Sequence, residues 1–247
     1  MTGPQADLDI LEHAAIAILR EAYATLRPLA MLWSMGKDST ALLWLVRKAF
    51  FGEVPFPLVQ LDTELELDEV YAFRDQLARD WKLDLRVELC PPEDQMDPTL
   101  PPATRAAARK TEGLKNYLAR DNPQGVIVGI RRDEQSTRAK ERIFSPRSVS
   151  GTWDVRVHPL LHWTEVDIWR YTQRENIPYV DLYLARDGMR YRSLGEKNIT
   201  VPIKSDAATV DEIIAELIAT REPERAGRVM DNESEDSFER LRTAGYM

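Results

Sequence analysis

Ala30-Met31-Leu32-Trp33-Ser34-Met35-Gly36-Lys37-Asp38-Ser39, followed by Thr40-Ala41-Leu42-Leu43-Trp44-Leu45, is the stretch whose reading decides the fold. An apolar run ends in a short polar turn, and a helical apolar pattern begins at once. Strand, tight turn and helix in that order aim backbone N–H groups at a phosphate. Gly36 permits close approach or a positive φ. Lys37 supplies a point charge, and Ser34 and Ser39 add hydroxyl donors. Asp38 suits the positive end of a helix dipole. An ordinary βα turn that happens to hold a lysine is the plain alternative, and the order S-x-G-K-D-S speaks against it. The turn is not a Walker A loop, because G-x-x-x-x-G-K-[ST] is absent.

Working outward, Pro57–Thr63 reads as a second strand with Asp62 at its carboxyl end, placed to face the crevice that the Lys37 turn faces. A helix from about Leu67 to Trp81 and a strand from Leu83 to Leu89 follow. Upstream, Leu8, Leu11, Ala15, Ile18, Ala22 and Leu26 recur at helical spacing, with Asp7 available to cap that helix. Pro91–Thr104 holds five prolines and reads as a surface loop, 105–121 as helix and Gly125–Gly129 as a buried strand. Val155–Leu160 reads as a strand, Glu165–Gln173 as a helix capped by Thr164, and 209–220 as a final helix. Alternating strands and helices predict an α/β fold: a doubly wound, mostly parallel sheet with helices on both faces. Residues 1–205 form the expected catalytic domain. Residues 206–247 form a C-terminal extension of helix and charged tail, acidic at Glu233–Asp236.

A second unusual run, Arg131-Arg132-Asp133-Glu134-Gln135-Ser136-Thr137-Arg138-Ala139-Lys140-Glu141-Arg142, follows the Gly125–Gly129 strand. From Arg131 to Arg147 six Lys or Arg stand against three Asp or Glu, in a chain of net charge −8. Guanidinium forks match phosphate and sulfate oxygens. A solvated helix face is the common meaning of such a run, but its place after a strand end favours a crevice. His158 and His162 lack nearby cysteine or spaced carboxylate partners, so no metal site is expected there. The overall acidity argues against a nucleic-acid-coating protein. Cys90 is the single cysteine, which excludes an internal disulfide framework and fits a reducing cytoplasm. No apolar run is long enough to span a membrane.

The S-M-G-K-D-S turn resembles the PP-loop of the adenine-nucleotide α-hydrolase superfamily. The segments M-L-W-S-M-G-K-D-S, L-D-T, Y-x-F-R-D, K-T-E-G-L-K, R-R-D-E-x-x-x-R-A-K-E-R-I, W-T-E-x-D-I-W, R-Y-R-S-L-G and E-R-x-G-R-V-x-D resemble the small-subunit family of the two-subunit sulfate adenylyltransferases. The resemblance implies an adenine-nucleotide α-hydrolase-like fold and the conversion of ATP and sulfate to adenosine 5′-phosphosulfate and pyrophosphate. It also implies Mg²⁺ on the β- and γ-phosphates and a separate GTPase large subunit. It assigns Ser34, Gly36, Lys37, Asp38 and Ser39 to the phosphate cradle and sets Asp62 beside the adenosine or Mg²⁺. Arg131, Arg132, Arg138, Lys140 and Arg142 become candidates, with Lys37, for holding sulfate and the leaving pyrophosphate. The chain departs from the family where Glu64-Leu65-Glu66 follows D-T and where Glu196 replaces a cysteine. Two further readings stay open: adenylyl transfer to another acceptor, and a non-catalytic nucleotide-binding subunit. A phosphosulfate reductase needs a nucleophilic cysteine near its C-terminus, and tRNA thiolation enzymes commonly use paired cysteines. This chain has neither.

Overall fold

The computed structural model describes residues 4–134, 138, 140–149, 152–220 and 224. The expected acidic tail at Glu233–Asp236, and Gln135–Thr137 and Ala139 of the arginine run, lie outside the described residues. The main sheet comprises β1 (Leu29–Leu32), β2 (Leu58–Asp62), β3 (Leu85–Leu89), β4 (Gly125–Ile127), β5 (Phe144–Val149) and β6 (Thr152–Val157). Its spatial order is β3-β2-β1-β4-β6-β5. All pairings are parallel except β5 with β6. Strands β2 and β3 extend the sheet on one side of β1, and β4 and β6 extend it on the other. The order therefore reverses between β1 and β4, the place where doubly wound sheets open a ligand crevice at their carboxyl ends.

Among the described residues, six α-helices accompany the sheet: α1 (Pro4–Thr25), α2 (Lys37–Ala49), α3 (Asp68–Asp80), α4 (Pro102–Asp121), α5 (Glu165–Glu175) and α6 (Val210–Ala219). The central strand is buried on both faces, as parallel strands are. Leu29 and Met31 of β1 join a core with Leu19, Leu42, Val46, Ile168 and Trp169, whereas Ala30 and Leu32 join a second core with Leu114, Tyr117 and Leu118 of α4. Helix α6 places Ile213 and Leu217 in the first of these cores. A short hairpin, β7 (Met189–Arg190) with β8 (Ile203–Lys204), stands apart from the sheet.

Two local expectations are corrected, and one strand is added. Asp7 does not precede the first helix; it lies in the first turn of α1, which begins at Pro4. Helix α4 begins at Pro102, where the missing N–H costs nothing, rather than three residues later. Strand β5 had no sequence signature: it contains Pro146 and alternates poorly, and its antiparallel edge position tolerates the proline.

Helix α5 is started by a reciprocal capping box. The Thr164 hydroxyl accepts from the Asp167 N–H at 3.2 Å, and the Asp167 carboxylate accepts from the Thr164 N–H at 2.9 Å. Thr164→Ala is expected to cost about 1 kcal/mol and lower Tm by about 2–4 °C. Urea unfolding and a thermal melt check both numbers.

Candidate active site

Residues 33–36 leave β1 through a left-handed residue, but not the expected one. Met35 has φ of 58°, whereas Gly36 is extended at φ −68°, ψ 162° and precedes α2 without a side-chain cap. A Cβ on Gly36 would stand 3.5 Å from Ser34 Oγ and 3.6 Å from the Tyr183 hydroxyl, ordinary contacts. The close approach requiring glycine falls at Gly129, where a Cβ would lie 3.3 Å from both the N and Cα of Ser39. Gly129 thus lets the exit of β4 pack against the first turn of α2. The turn is pinned from within. Ser34 Oγ and Ser39 Oγ are 3.1 Å apart, and Trp33 Nε1 donates to Thr40 Oγ1 at 3.3 Å. The Lys37 N–H donates to the buried Tyr183 hydroxyl at 2.9 Å. First-turn N–H groups of a helix have no acceptor within it, and this helix start opens on a cavity lined by Ser34–Ser39 of the turn, Tyr183 and Glu224.

Two buried cations stand there, Lys37 on the cavity wall and Arg131 behind it, against the lining residues Asp38 and Glu224. Lys37 is 3% exposed and Arg131 is fully buried. Lys37 Nζ lies 3.3 Å from Asp38 Oδ2, 3.7 Å from Glu165 Oε1 and in contact with Glu224 Oε1. Arg131 contacts Asp38 and Glu224 and lies 2.9 Å from Asp133. Asp133 in turn accepts the first N–H of α5, from Glu165, at 2.9 Å, and Glu165 pairs with Arg192 at 2.9 Å. Burial by itself would discharge Lys37. Glu224 and then Glu165 outweigh it and hold the ammonium above its ordinary pKa. Burial opposes the charge of Arg131 as well, and Glu224 and Asp133 over-compensate.

The remaining expected site residues divide by direction. Arg138 is buried, pairs with Glu134 and lines the cavity. Arg132, Lys140 and Arg142 are exposed and do not line it. Arg132 reaches instead to the Glu141 carbonyl at 3.2 Å. Asp62 is buried but also lies off the cavity wall. It accepts from the Glu64 N–H at 2.8 Å and from the Tyr71 hydroxyl at 2.7 Å, so it holds the turn after β2.

Beyond the cations the cavity becomes a slot with apolar walls. Leu32, Val59, Leu61, Val128 and Ile130 come from strand ends, and Ala103, Ala106, Ala107 and Leu114 from α4. Its lining also includes Glu66, Lys110 and Glu196. Lys110 pairs with Glu66 at 3.0 Å. Burial raises the Glu196 pKa, while Glu64 is exposed in a left-handed turn. The Cys90 thiol is buried and pushed up to about 12, so it is no nucleophile near neutrality. Tyr183, Glu165, Arg192 and Glu224 were not singled out from sequence. Glu165, Arg192 and Glu224 lay within the recognisable segments W-T-E-x-D-I-W, R-Y-R-S-L-G and E-R-x-G-R-V-x-D, whereas Tyr183 lay in none of them.

Comparison with known proteins places this geometry in context. The phosphoadenosine phosphosulfate reductase domain model matches residues 28–202. A sulfate adenylyltransferase subunit 2 of Colwellia psychrerythraea is 38% identical, covering 97% of this chain and 98% of its own length. One of Shewanella loihica is 36% identical over the full length of both. Among solved structures, Candida glabrata FMN adenylyltransferase with FMN and an ATP analogue superposes with a TM-score of 0.63 at 20% identity. That alignment covers 81% of this chain and 66% of the other. It shows the shared adenine-nucleotide α-hydrolase-like fold.

His158 gives a pH test of this end of the sheet. It is fully buried, and its Nδ1–H donates to the Arg142 carbonyl at 2.7 Å. Burial is the largest influence and, helped by Arg147 and Arg156, it outweighs Glu141 and the carbonyl to hold the imidazole below its ordinary 6.5. The unfolded chain therefore binds the proton first. This contribution to stability is full above pH 6.5 and is lost as the pH falls below it. His158→Gln is expected to flatten that part of the stability profile, measured by urea unfolding at pH steps from neutral down to the carboxylate range. An unchanged slope contradicts it.

Proposed function

The chain belongs to the sulfate adenylyltransferase subunit 2 family, built on a phosphoadenosine phosphosulfate reductase domain, and from this we propose that it transfers the adenylyl group of ATP to sulfate. The products are adenosine 5′-phosphosulfate and pyrophosphate. One observation carries the reading: at the switch point of the sheet, the start of α2 and the buried Lys37 line an apolar slot, with the Arg131 guanidinium set directly behind the lining residues Asp38 and Glu224. The slot suits a nucleoside and the cationic end suits its phosphates.

The chemistry asked of such a site is positioning and charge neutralisation. A sulfate oxygen attacks the α-phosphorus in line and the bond to the pyrophosphate oxygen breaks, with no covalent enzyme intermediate. Lys37, Arg131 and the first-turn N–H groups of α2 would hold the phosphates, and Ser34 and Ser39 would line their cradle. Arg138, on the cavity wall, is placed to take a sulfate or pyrophosphate oxygen. Arg132, Lys140 and Arg142 point outward and would act, if at all, on the anion's approach. Asp62 would support the turn that borders the slot rather than touch ligand. Mg²⁺ would arrive on the β- and γ-phosphates as MgATP, since phosphates with waters satisfy it. Among the described residues no group of three His, Cys, Asp or Glu is arranged to hold a metal alone.

The name subunit 2 marks the relatives as one part of an assembly. For this chain we propose a separate GTPase partner, because the phosphosulfate anhydride is formed uphill and needs a coupled energy source. Among the described residues no helix is long and apolar enough to cross a membrane. A second reading keeps the adenylyl transfer and changes the acceptor. Glu66 and Glu196 line the cavity, and like charge there opposes an anionic acceptor.

Pyrophosphate release from MgATP, with the GTPase subunit and GTP present, is expected to depend on sulfate. Release that ignores sulfate sinks the first reading and favours the second. Lys37→Ala is expected to lower kcat/KM by about a hundredfold or more, while Arg132→Ala changes it by less than about fivefold.

A further inference from the structure

The cationic end of the cavity already holds an anion that the chain itself supplies. Glu224 is 6% exposed, and its two oxygens are divided between the two cations: Oε1 on Lys37 Nζ and Oε2 on Arg131 Nη2. It comes from far away in sequence, 187 residues from Lys37 and 93 from Arg131. Two oxygens presented to an ammonium and a guanidinium reproduce what a phosphate or sulfate would offer there.

The other carboxylates around these cations are differently anchored. Asp38 belongs to α2 itself. Asp133 is tied to the first N–H of α5, and Glu165 to Arg192. Among the described residues, Glu224 is held by Lys37 and Arg131. As it stands, four carboxylates surround Lys37, Arg131 and Arg192, an arrangement that resists a polyphosphate. Among the described residues, release of Glu224 undoes no helix start and no ion pair beyond its own with Lys37 and Arg131.

We propose that Glu224 is a resident competitor for an oxyanion subsite formed by Lys37 and Arg131, and that the phosphate chain of an entering nucleotide displaces it. The inference rests on reading this cavity as the ATP site, but not on sulfate being the acceptor. Docking of Glu224 and binding of phosphates then oppose each other. Whatever draws Glu224 out of the cavity raises the affinity for ATP and pyrophosphate.

The test uses the full chain, with inorganic pyrophosphate and adenosine as separate probes in calorimetric titrations. In E224Q, which keeps the shape and removes the charge, pyrophosphate is expected to bind about tenfold tighter or more, and adenosine within about twofold of the parent chain. A merely structural role would move both probes in the same direction. Unchanged or weaker pyrophosphate binding in E224Q, with adenosine binding retained, overturns the proposal alone. Should E224Q fail to fold, E224D keeps the charge but shortens its reach. A gain of about threefold for pyrophosphate then supports displacement, and no gain overturns it. A parent chain that binds neither probe removes the reading of the cavity together with the proposal.

Discussion

Two positive charges buried side by side at the end of a parallel sheet are the constraint on which the site depends. Lys37 and Arg131 are both out of water, on neighbouring chain exits, and neither burial nor their mutual repulsion favours them. Asp38 and Glu224 answer both, Asp133 answers Arg131, and Glu165 answers Lys37. Those carboxylates tie together the start of α2, the exit of β4 and the start of α5. The same arrangement is what makes the site useful. Cations fixed by packing and dried by burial act on a phosphate more strongly than flexible surface lysines, and need little reorganisation when the anion arrives.

The fold was legible because buried parallel strands leave a plain record. Leu29–Leu32, Leu58–Asp62 and Gly125–Ile127 are apolar runs cut by turn residues, and the helices between them carry periodic apolar faces. Strand β5 left no such record, since Pro146 and its polar neighbours sit at an edge where pairing rather than patterning holds them. The hairpin of β7 and β8 is two residues on each side, too short to show a period.

The site was legible in residue type and less so in direction. The arginine run announced charge after a strand end, but three-dimensional placement sorted it. Arg131 and Arg138 turn inward, whereas Arg132, Lys140 and Arg142 face water. No periodic rule separates them, because a short 3₁₀ turn begins at Arg132. Gly36 drew attention for its freedom, yet the strained backbone is at Met35 and the tight approach at Gly129. Tyr183 and Glu165 reach Lys37 from far along the chain, the former across 146 residues, and such contacts have no local signature.

The most direct measurement of the central claim is a crystal structure of the chain with a non-hydrolysable α,β-methylene analogue of ATP. The account predicts the triphosphate across the start of α2, with oxygens on Lys37 Nζ and the Arg131 guanidinium and the adenosine in the slot between the strand ends and α4. A triphosphate held instead by the exposed Arg132, Lys140 and Arg142, with the buried pair still closed on its own carboxylates, would contradict it.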